Sequence, residues 1–281
     1  MKLQKVKQQF FSELNKLYPE TEIQSFFNLL IEFKLNLTRI EFALQPDFEI
    51  TENNLKFLKK AITDLNNSVP IQYIIGETEF YGLPFKVNPH VLIPRPETEE
   101  LVEWIVNEVD QNKKLKILDI GTGSGCIAIS LAKNLPNANV FAIDVSANAI
   151  KTAKQNAELN NIKVHFMEFD ILKTEKITDT FDIIVSNPPY VRELEKEQMK
   201  PNVLKNEPHL ALFVKNDNPL LFYDKIADLA VNSLNKNGSL FFEINQYLGI
   251  PMIDLLSKKG FQNIELKKDF YQVDRMMKAE L

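Results

Sequence analysis

The sequence predicts an α/β fold, in which helices cover both faces of a parallel sheet, preceded by a small all-α domain. From about residue 97 onward, short apolar segments with strand character alternate with amphipathic helical segments, as βαβ units require. Before residue 68, apolar residues recur only at helical spacing. Between these regions, the segment "TEFYGLPFKVN" at residues 78–88 has aromatic and β-branched residues around a glycine and predicts a β-hairpin.

The first part of the chain is predicted to be a bundle of short helices, which we place at residues 1–69. Its apolar residues are three or four positions apart, and prolines interrupt the pattern. Thr51 precedes "ENNLKFLKKAI" and is expected to cap a helix at its N-terminus. Residues 70–96, which include the hairpin, form the expected linker to the second domain.

The second domain is expected at residues 97–281, beginning with a helix over residues 97–109. Strands and helices then alternate in the order "LKILDI", "CIAISLAKNL", "NVFAID", "NAIKTAKQNAELN", "KVHFMEF" and "FDIIVS". Further on, the sequence predicts a helix in "PLLFYDKIADLAVNSL", a turn at Asn237-Gly238, a strand in "SLFFEI" and a helix in "GIPMIDLLSKKG". The segments "NIELKKD" and "DRMMKAEL" are expected to be two closing strands.

The composition is that of an ordinary soluble protein, with 44% hydrophobic and 25% charged residues in 281. No apolar run approaches the roughly 20 residues of a membrane span, and the N-terminus lacks the features of a signal peptide, so we expect a cytoplasmic protein without a membrane partner. One cysteine and three scattered histidines argue against a disulfide framework or a metal site. The net charge of −5 argues against a stable nucleic-acid partner held by phosphate contacts.

A glycine-rich turn, "LDIGTGSGCIA", connects the first strand of the α/β domain to its helix. Gly121, Gly123 and Gly125 permit positive φ and close approach of a ligand to the backbone, and the helix N-terminus offers unpaired N–H groups. No Gly-Lys-Ser/Thr follows, which excludes a Walker loop. By itself the turn is compatible with a nucleotide site or with a tight turn of purely structural function.

Two acidic residues follow the next two strands. Asp144, about 20 residues after the glycines, is placed to accept hydrogen bonds from both hydroxyls of a ribose, although it can also be an N-cap of the next helix. Asp170 can accept from an adenine amino group or be a solvated loop carboxylate. Because ligands of open α/β sheets bind at the carboxyl ends of the strands, the three features together predict a nucleoside site.

The fourth strand ends in "SNPPY", in which two prolines stiffen the chain directly after Asn187. A turn that only ends the strand is one interpretation. The other is an active site in which the Asn187 side-chain oxygen and the Pro188 carbonyl each accept one N–H of a planar amide or amino group, and Tyr190 stacks on it. Held in this way, the nitrogen can attack a methyl sulfonium without a metal. No Ser-His-Asp or Cys-His arrangement is evident.

The glycine turn, Asp144, Asp170 and NPPY resemble the Rossmann-like methyltransferases that modify planar nitrogens. Residues 70–104, from "PIQYIIGETEF" to "IPRPETEELVEW", are similar to the linker of the peptide chain release factor glutamine methyltransferases. "NEPHLAL" at 206–212 and "FFEINQ" at 241–246 also resemble elements of that family. The resemblance therefore spans essentially the whole chain.

The resemblance implies a Rossmann-like domain with a seven-stranded sheet, joined by a β-hairpin linker to a helical domain that recognises the substrate. It also implies methyl transfer from S-adenosylmethionine to the glutamine of the Gly-Gly-Gln motif in class I release factors. The implied cofactor-binding residues are Gly121, Thr122, Gly123, Ser124, Gly125, Asp144, Asp170, Ile171 and Asn187, and the implied catalytic residues are Asn187, Pro188, Pro189 and Tyr190. We expect a monomer.

The segment "IPRPETEE" is open to two interpretations. Arg95, Glu97 and Thr98 can order the loop near the methionine end of the cofactor, or the segment can simply be the proline-rich start of a helix.

Three alternatives remain at this point. A glutamine of a ribosomal protein and an exocyclic amino group of a nucleic-acid base present the same planar nitrogen, although a base must be flipped out of its stack and its phosphates must be held. A nucleoside-binding adaptor without catalytic activity is disfavoured by the intact NPPY motif.

Overall fold

The computed structural model of the protein describes residues 1–281 and contains twelve α-helices and eleven β-strands. The helices are α1 Leu3–Leu14, α2 Glu20–Leu35, α3 Arg39–Leu44, α4 Glu52–Asn66, α5 Ile71–Ile75, α6 Pro96–Glu108, α7 Cys126–Asn134, α8 Ala147–Leu159, α9 Pro201–Asn206, α10 His209–Leu212, α11 Leu221–Ser233 and α12 Gly249–Lys258. The strands are β1 Glu77–Phe80, β2 Leu83–Lys86, β3 Lys116–Ile120, β4 Asn139–Asp144, β5 His165–Glu168, β6 Phe181–Ser186, β7 Val191–Arg192, β8 Phe213–Val214, β9 Leu234–Glu243, β10 Gln262–Lys268 and β11 Asp274–Glu280.

The chain divides into two units. The helical unit comprises residues 1–76 and 200–206, and the α/β unit comprises residues 77–199 and 207–281. No helix combines the length and the apolar character that a membrane crossing requires.

The helical unit is built around the apolar faces of its helices. In α1 the buried residues Leu3, Val6, Phe10 and Leu14 recur at intervals of three and four, which places them on one face. The predicted N-cap of α4 is confirmed, since the Thr51 side chain accepts a hydrogen bond of 3.3 Å from the backbone N–H of Asn54. The first part of the chain is therefore a helix bundle, as predicted, and no sheet is part of it.

The α/β unit contains a seven-stranded sheet in the order β10-β11-β9-β6-β3-β4-β5. Strands β9, β6, β3, β4 and β5 are parallel, and β11 runs antiparallel to its neighbours β9 and β10. Successive residues of β3 belong to different cores, since Ile117 packs on one face of the sheet with α6 and α7, and Leu118 on the other with α11 and α12. The sheet and its two helical layers confirm the predicted Rossmann-like fold.

The predicted hairpin is formed by β1 and β2, which are antiparallel. Tyr81 and Gly82, between the strands, have φ of 51° and 72°. This pair of positive φ values is typical of the tight turns that match the twist of two-residue hairpins.

The turn predicted at Asn237-Gly238 was wrong, because both residues lie inside β9. Four residues of β9, at 235–238, stand opposite the single residue Asp182 of β6, since Phe181 pairs with Leu234 but Ile183 with Ser239, which is a bulge. A side chain at Gly238 would lie 2.9 Å from the backbone oxygen of Asn235, so the glycine allows the close backbone approach that the bulge requires.

Candidate active site

A cavity of about 260 Å³ lies at the carboxyl ends of β3, β4 and β6 in the α/β unit. Parallel register brings these strand ends together, since Ile120 is paired with both Ile143 and Ser186. The predicted residues that line the cavity are Gly121, Thr122, Gly123, Ser124, Asp144, Asp170, Ile171, Asn187, Pro188 and Pro189. Gly125 and Tyr190 are not among its lining residues.

The glycine turn is held in a left-handed conformation at three positions. Gly121, Gly123 and Gly125 have φ of 76°, 56° and 83°. A Cβ at Gly121 or Gly123 would meet no atom within 4 Å, so the space beside the turn is open to a ligand. Gly125 is different, because a Cβ there would lie 3.0 Å from the Ile129 side chain, and it is the N-cap of α7. The absence of a side chain at Gly125 therefore allows α7 to pack closely against the turn, on the side away from the cavity.

Asp144 links the end of β4 to the glycine turn. Its Oδ2 accepts a hydrogen bond of 2.8 Å from the Gly123 N–H, and its Oδ1 accepts one of 2.9 Å from the Ser146 N–H. The N-cap of α8 is Ser146, so the interpretation of Asp144 as the cap is wrong. Each carboxylate oxygen keeps a further lone pair for a ligand hydroxyl. Burial raises the pKa of Asp144, and the backbone N–H groups oppose that rise.

Asp170 has a more exposed carboxylate than Asp144. Its Oδ1 accepts a hydrogen bond of 3.0 Å from the Leu172 N–H, and its Oδ2 forms a 2.9 Å ion pair with Lys173, which lowers the pKa of Asp170. Ile171 and Phe169 line the cavity on either side of it. Phe169 was not predicted as a site residue. Its position directly before Asp170 in "MEFDIL" could have indicated that it lies in the site.

Asn187 is half-buried and lines the cavity, and its Nδ2 donates a hydrogen bond of 3.3 Å to the Thr98 Oγ1. Pro188 and Pro189 carry no N–H, so these two residues offer backbone acceptors and no backbone donor to the cavity. The end of β6 is fixed by the Ser186 hydroxyl, which donates to the Ile120 carbonyl at 2.6 Å.

Tyr190 is turned toward a buried carboxylate. Its hydroxyl donates a hydrogen bond of 2.8 Å to Glu243 Oε1, and burial raises the pKa of Tyr190 well above its usual value. It lines a second cavity of about 190 Å³ together with Asn245 and Arg275. The structure thus places Tyr190 in the wall of the second cavity and not in the wall of the first.

Two further segments, "IPRPETEE" and "NEPHLAL", also contribute to the lining of the first cavity. Arg95 forms a 2.6 Å ion pair with Glu207, whose side chain is 1% exposed, and Glu207 also accepts from the Ile93 N–H at 3.3 Å. This pair connects "IPRPETEE" to "NEPHLAL". The first segment contributes Pro94, Arg95 and Thr98 to the lining, the second contributes Pro208, Leu210 and Ala211, and the residues just before the first segment contribute His90, Val91 and Leu92. Glu97 does not line the cavity.

Glu243, at the end of β9, was not predicted as part of the site. Its Oε2 accepts a hydrogen bond of 2.6 Å from the Thr98 hydroxyl, and its exposed fraction is 1%. The only signal in the sequence is an acidic residue inside an otherwise apolar strand, "LFFEI".

Comparisons with known proteins identify the parts of the chain. Residues 98–211 match the family described as methyltransferase small domain, and residues 5–76 match the PrmC N-terminal domain. The solved structure of a methyltransferase from Pyrococcus furiosus has a TM-score of 0.51 and 19% identity, covering 82% of this chain and 98% of that one. The Thermus thermophilus 16S rRNA N2 methyltransferase RsmC, solved with AdoMet and guanosine, has a TM-score of 0.52 and 19% identity over 73% of this chain and 49% of that one. At this identity the two structures establish the fold alone.

Curated relatives are much more similar. The release factor glutamine methyltransferase of Flavobacterium psychrophilum is 54% identical over 99% of both chains. The protein of that name from Bacteroides thetaiotaomicron is 43% identical over 95% of both chains. With identity of this degree over nearly its full length, the chain belongs to the release factor glutamine methyltransferase family.

Proposed function

We propose that this protein transfers a methyl group from S-adenosylmethionine to the side-chain amide nitrogen of the glutamine in the Gly-Gly-Gln motif of class I peptide chain release factors. The observation that carries the proposal is the position of Asn187 and Pro188 in the wall of a cavity that also contains the glycine turn and Asp144. Family membership supports the choice of a release factor glutamine as the acceptor.

The residues of the cavity suit this cofactor. Open space beside Gly121 and Gly123 admits a ligand against the backbone, and Asp144 has spare lone pairs for two ribose hydroxyls. Phe169 and Ile171 provide apolar surface for a purine ring. When bound, S-adenosylmethionine supplies a methyl group on a positively charged sulfur.

The cofactor-binding role is assigned to three parts of the cavity. The turn from Gly121 to Gly125, including Thr122 and Ser124, binds through its backbone, and Asp144 binds the ribose. Asp170 and Ile171 lie at the adenine end, and Asn187 lies at the reacting end.

The catalytic role is assigned to residues 187–190. The Asn187 Oδ1 and the Pro188 carbonyl each accept one N–H of the glutamine amide, which fixes the plane of the amide and increases electron density on its nitrogen. Pro188 and Pro189 restrict the backbone, so these acceptors keep their direction while the substrate binds. Tyr190 holds the following segment through its bond to Glu243.

The helical domain, residues 1–69, is assigned to recognition of the folded substrate, and residues 70–96 to the linker that precedes the catalytic domain at 97–281. We place the activity in the cytoplasm because its substrate is a translation factor, and we expect a monomer that needs no metal, no membrane and no stable nucleic-acid partner.

The test is mass spectrometry of purified release factor, ribosomal proteins, ribosomal RNA and duplex DNA, each incubated with the protein and isotope-labelled cofactor. We expect one labelled methyl group on the peptide that contains Gly-Gly-Gln. Label on a ribosomal protein or on a nucleic-acid base, with none on the release factor, would reject the proposed substrate.

A further inference from the structure

A short chain of hydrogen bonds connects the Asn187 amide to a buried carboxylate on another strand. Asn187 Nδ2 donates to Thr98 Oγ1 at 3.3 Å, and the Thr98 hydroxyl donates to Glu243 Oε2 at 2.6 Å. Thr98 lies in the first turn of α6 and Glu243 is the last residue of β9, and both are at most 2% exposed. The bond between Thr98 and Glu243 is therefore shielded from solvent.

The number of available hydrogens fixes the direction of this chain. Burial raises the pKa of Glu243, and the Thr98 and Tyr190 hydroxyls that donate to it oppose that rise. As a carboxylate, Glu243 only accepts, and its other oxygen accepts from the Tyr190 hydroxyl at 2.8 Å. The single hydrogen of the Thr98 hydroxyl is used on Glu243, so the Thr98 oxygen can only accept from Asn187. It must therefore face the NH₂ group of the Asn187 amide and not its carbonyl oxygen.

The consequence concerns which end of the Asn187 amide faces the cavity. With its nitrogen bonded to Thr98, the amide presents Oδ1 on the opposite side, where a substrate N–H has to be accepted. A flip of the amide by 180° would place its oxygen against the Thr98 oxygen with no hydrogen between the two acceptors, which is unfavourable. The flipped amide would also offer N–H donors to a substrate that itself donates.

We infer that Glu243 is a positioning residue that acts through Thr98 to fix the orientation of the Asn187 amide. The inference deepens the proposed function and rests on it. The same carboxylate accepts from Tyr190, so one buried charge fixes both ends of the NPPY motif.

The test compares substitutions that keep or remove the hydroxyl at position 98. Thr98→Val preserves the shape of the side chain but removes the bond, and Thr98→Ser preserves the hydroxyl. We expect Thr98→Val to lower kcat at least about tenfold, which corresponds to loss of roughly 1.4 kcal/mol of orientation preference, with KM for the release factor and Kd for the cofactor changed less than about threefold. Thr98→Ser should restore most of kcat.

Thr152 provides a matched control. Its oxygen also accepts from an asparagine, Asn88 Nδ2 at 3.0 Å, and it is 4% exposed, but neither residue lines the cavity. Thr152→Val should lower stability in the same way as any buried threonine substitution and leave kcat near the wild-type value. A similar loss of kcat in Thr98→Val and Thr152→Val would assign the effect to general destabilisation and overturn the inference.

Glu243→Gln tests the carboxylate itself. A glutamine at this position can donate to Thr98, which frees the threonine hydrogen to bond the Asn187 oxygen and reverses the whole chain. We expect kcat to fall as in Thr98→Val, and the double variant to be no slower than the slower single variant, because both substitutions remove one interaction. Additive losses would overturn the inference.

The side-chain ¹⁵N–¹H signals of Asn187, assigned with Asn187→Asp, provide a readout that is independent of methyl transfer. Slow exchange of these amide hydrogens in the wild type, and faster exchange in Thr98→Val, is the expected result, and equal exchange would contradict the inference. A wild-type protein that shows the protected signals but does not methylate the release factor would reject the proposed function and leave the orientation standing.

Discussion

The Asp144 carboxylate accepts a hydrogen bond of 2.8 Å from the backbone N–H of Gly123. This bond connects the end of one strand to the turn that follows its neighbour, so the two parts of the cofactor site are held in a fixed relation. Since the second carboxylate oxygen is bonded to the Ser146 N–H, the side chain cannot rotate without losing both bonds. Asp144 is therefore oriented before any ligand binds.

Asp144→Ala should weaken cofactor binding. The substitution removes a carboxylate that accepts from two hydroxyls, each bond contributing about 1.5 kcal/mol, so we expect the dissociation constant to rise by roughly 100-fold in calorimetric titration. Asp170→Ala is the comparison, and its effect should be smaller because that carboxylate is more exposed and already paired with Lys173. An unchanged affinity of Asp144→Ala would assign the ribose to another residue.

Asp119 should make the stability of the protein fall as pH rises. Burial raises the pKa of Asp119 from 3.8 to about 7, although the Thr122 hydroxyl donates to it at 2.6 Å. Between these two pH values the folded protein retains a proton that the unfolded chain has lost, so the free energy of unfolding decreases with pH, by roughly 4 kcal/mol across the window. Above about pH 7 both states are ionised and the decrease ends.

Asp119→Asn cannot titrate, so its free energy of unfolding should fall less steeply between about pH 4 and pH 7. Urea denaturation across this range measures the slope, and the exposed Asp217→Asn should retain the wild-type slope. Parallel curves for wild type and Asp119→Asn would show that this carboxyl is not the source of the pH dependence.

Gly125→Ala should lower the free energy of unfolding of the protein more than Gly76→Ala does. Both glycines have nearly equal φ, 83° and 86°, so the conformational cost of alanine is similar, about 1–2 kcal/mol. A Cβ at Gly125 would also lie 3.0 Å from the Ile129 side chain and 3.1 Å from Ala153, whereas Gly76 has open space. We expect a further loss of about 1–3 kcal/mol at Gly125 in urea denaturation, and equal losses at both sites would contradict this packing argument.

The helical domain can be tested on its exposed apolar surface. Ile40 and Leu44, on α3, are 72% and 77% exposed, so these two apolar side chains are available to contact a partner protein. The double variant Ile40→Ser, Leu44→Ser should raise KM for the intact release factor about tenfold and leave kcat near wild type. Leu159→Ser is the control, because Leu159 is also exposed, at 41%, but lies at the end of α8 in the α/β unit and not in the helical unit. An unchanged KM would remove this helix from the recognition surface.

Local patterns predicted much of the fold and the strand-end residues of the site. Alternating strand and helix segments identified β3, β4 and β6, and the geometry of parallel strands then placed Gly121, Asp144 and Asn187 at one edge. In each case the informative residues are neighbours in sequence, because a strand and the turn that follows it occupy about ten positions.

Contacts that depend on the order of strands in the sheet were not predicted. Thr98 and Glu243 are 145 residues apart, and they meet because α6 packs against β9. The orientation of the Tyr190 side chain was not predicted either. Tyr190 follows β6 and its partner Glu243 ends β9, so their contact depends on the pairing of these two strands. The prediction of a turn at Asn237-Gly238 was wrong for a related reason. The same dipeptide is compatible with a hairpin turn or with a bulge, and the pairing with the neighbouring strand determines which one forms.

The most direct test of the account is the rate of methyl transfer by Asn187→Ala on intact release factor, measured in a single turnover with saturating labelled cofactor. If Asn187 orients the glutamine nitrogen, the rate should fall at least about 100-fold, while the dissociation constant of the cofactor rises less than about threefold. A variant that transfers methyl groups at the wild-type rate would contradict the account.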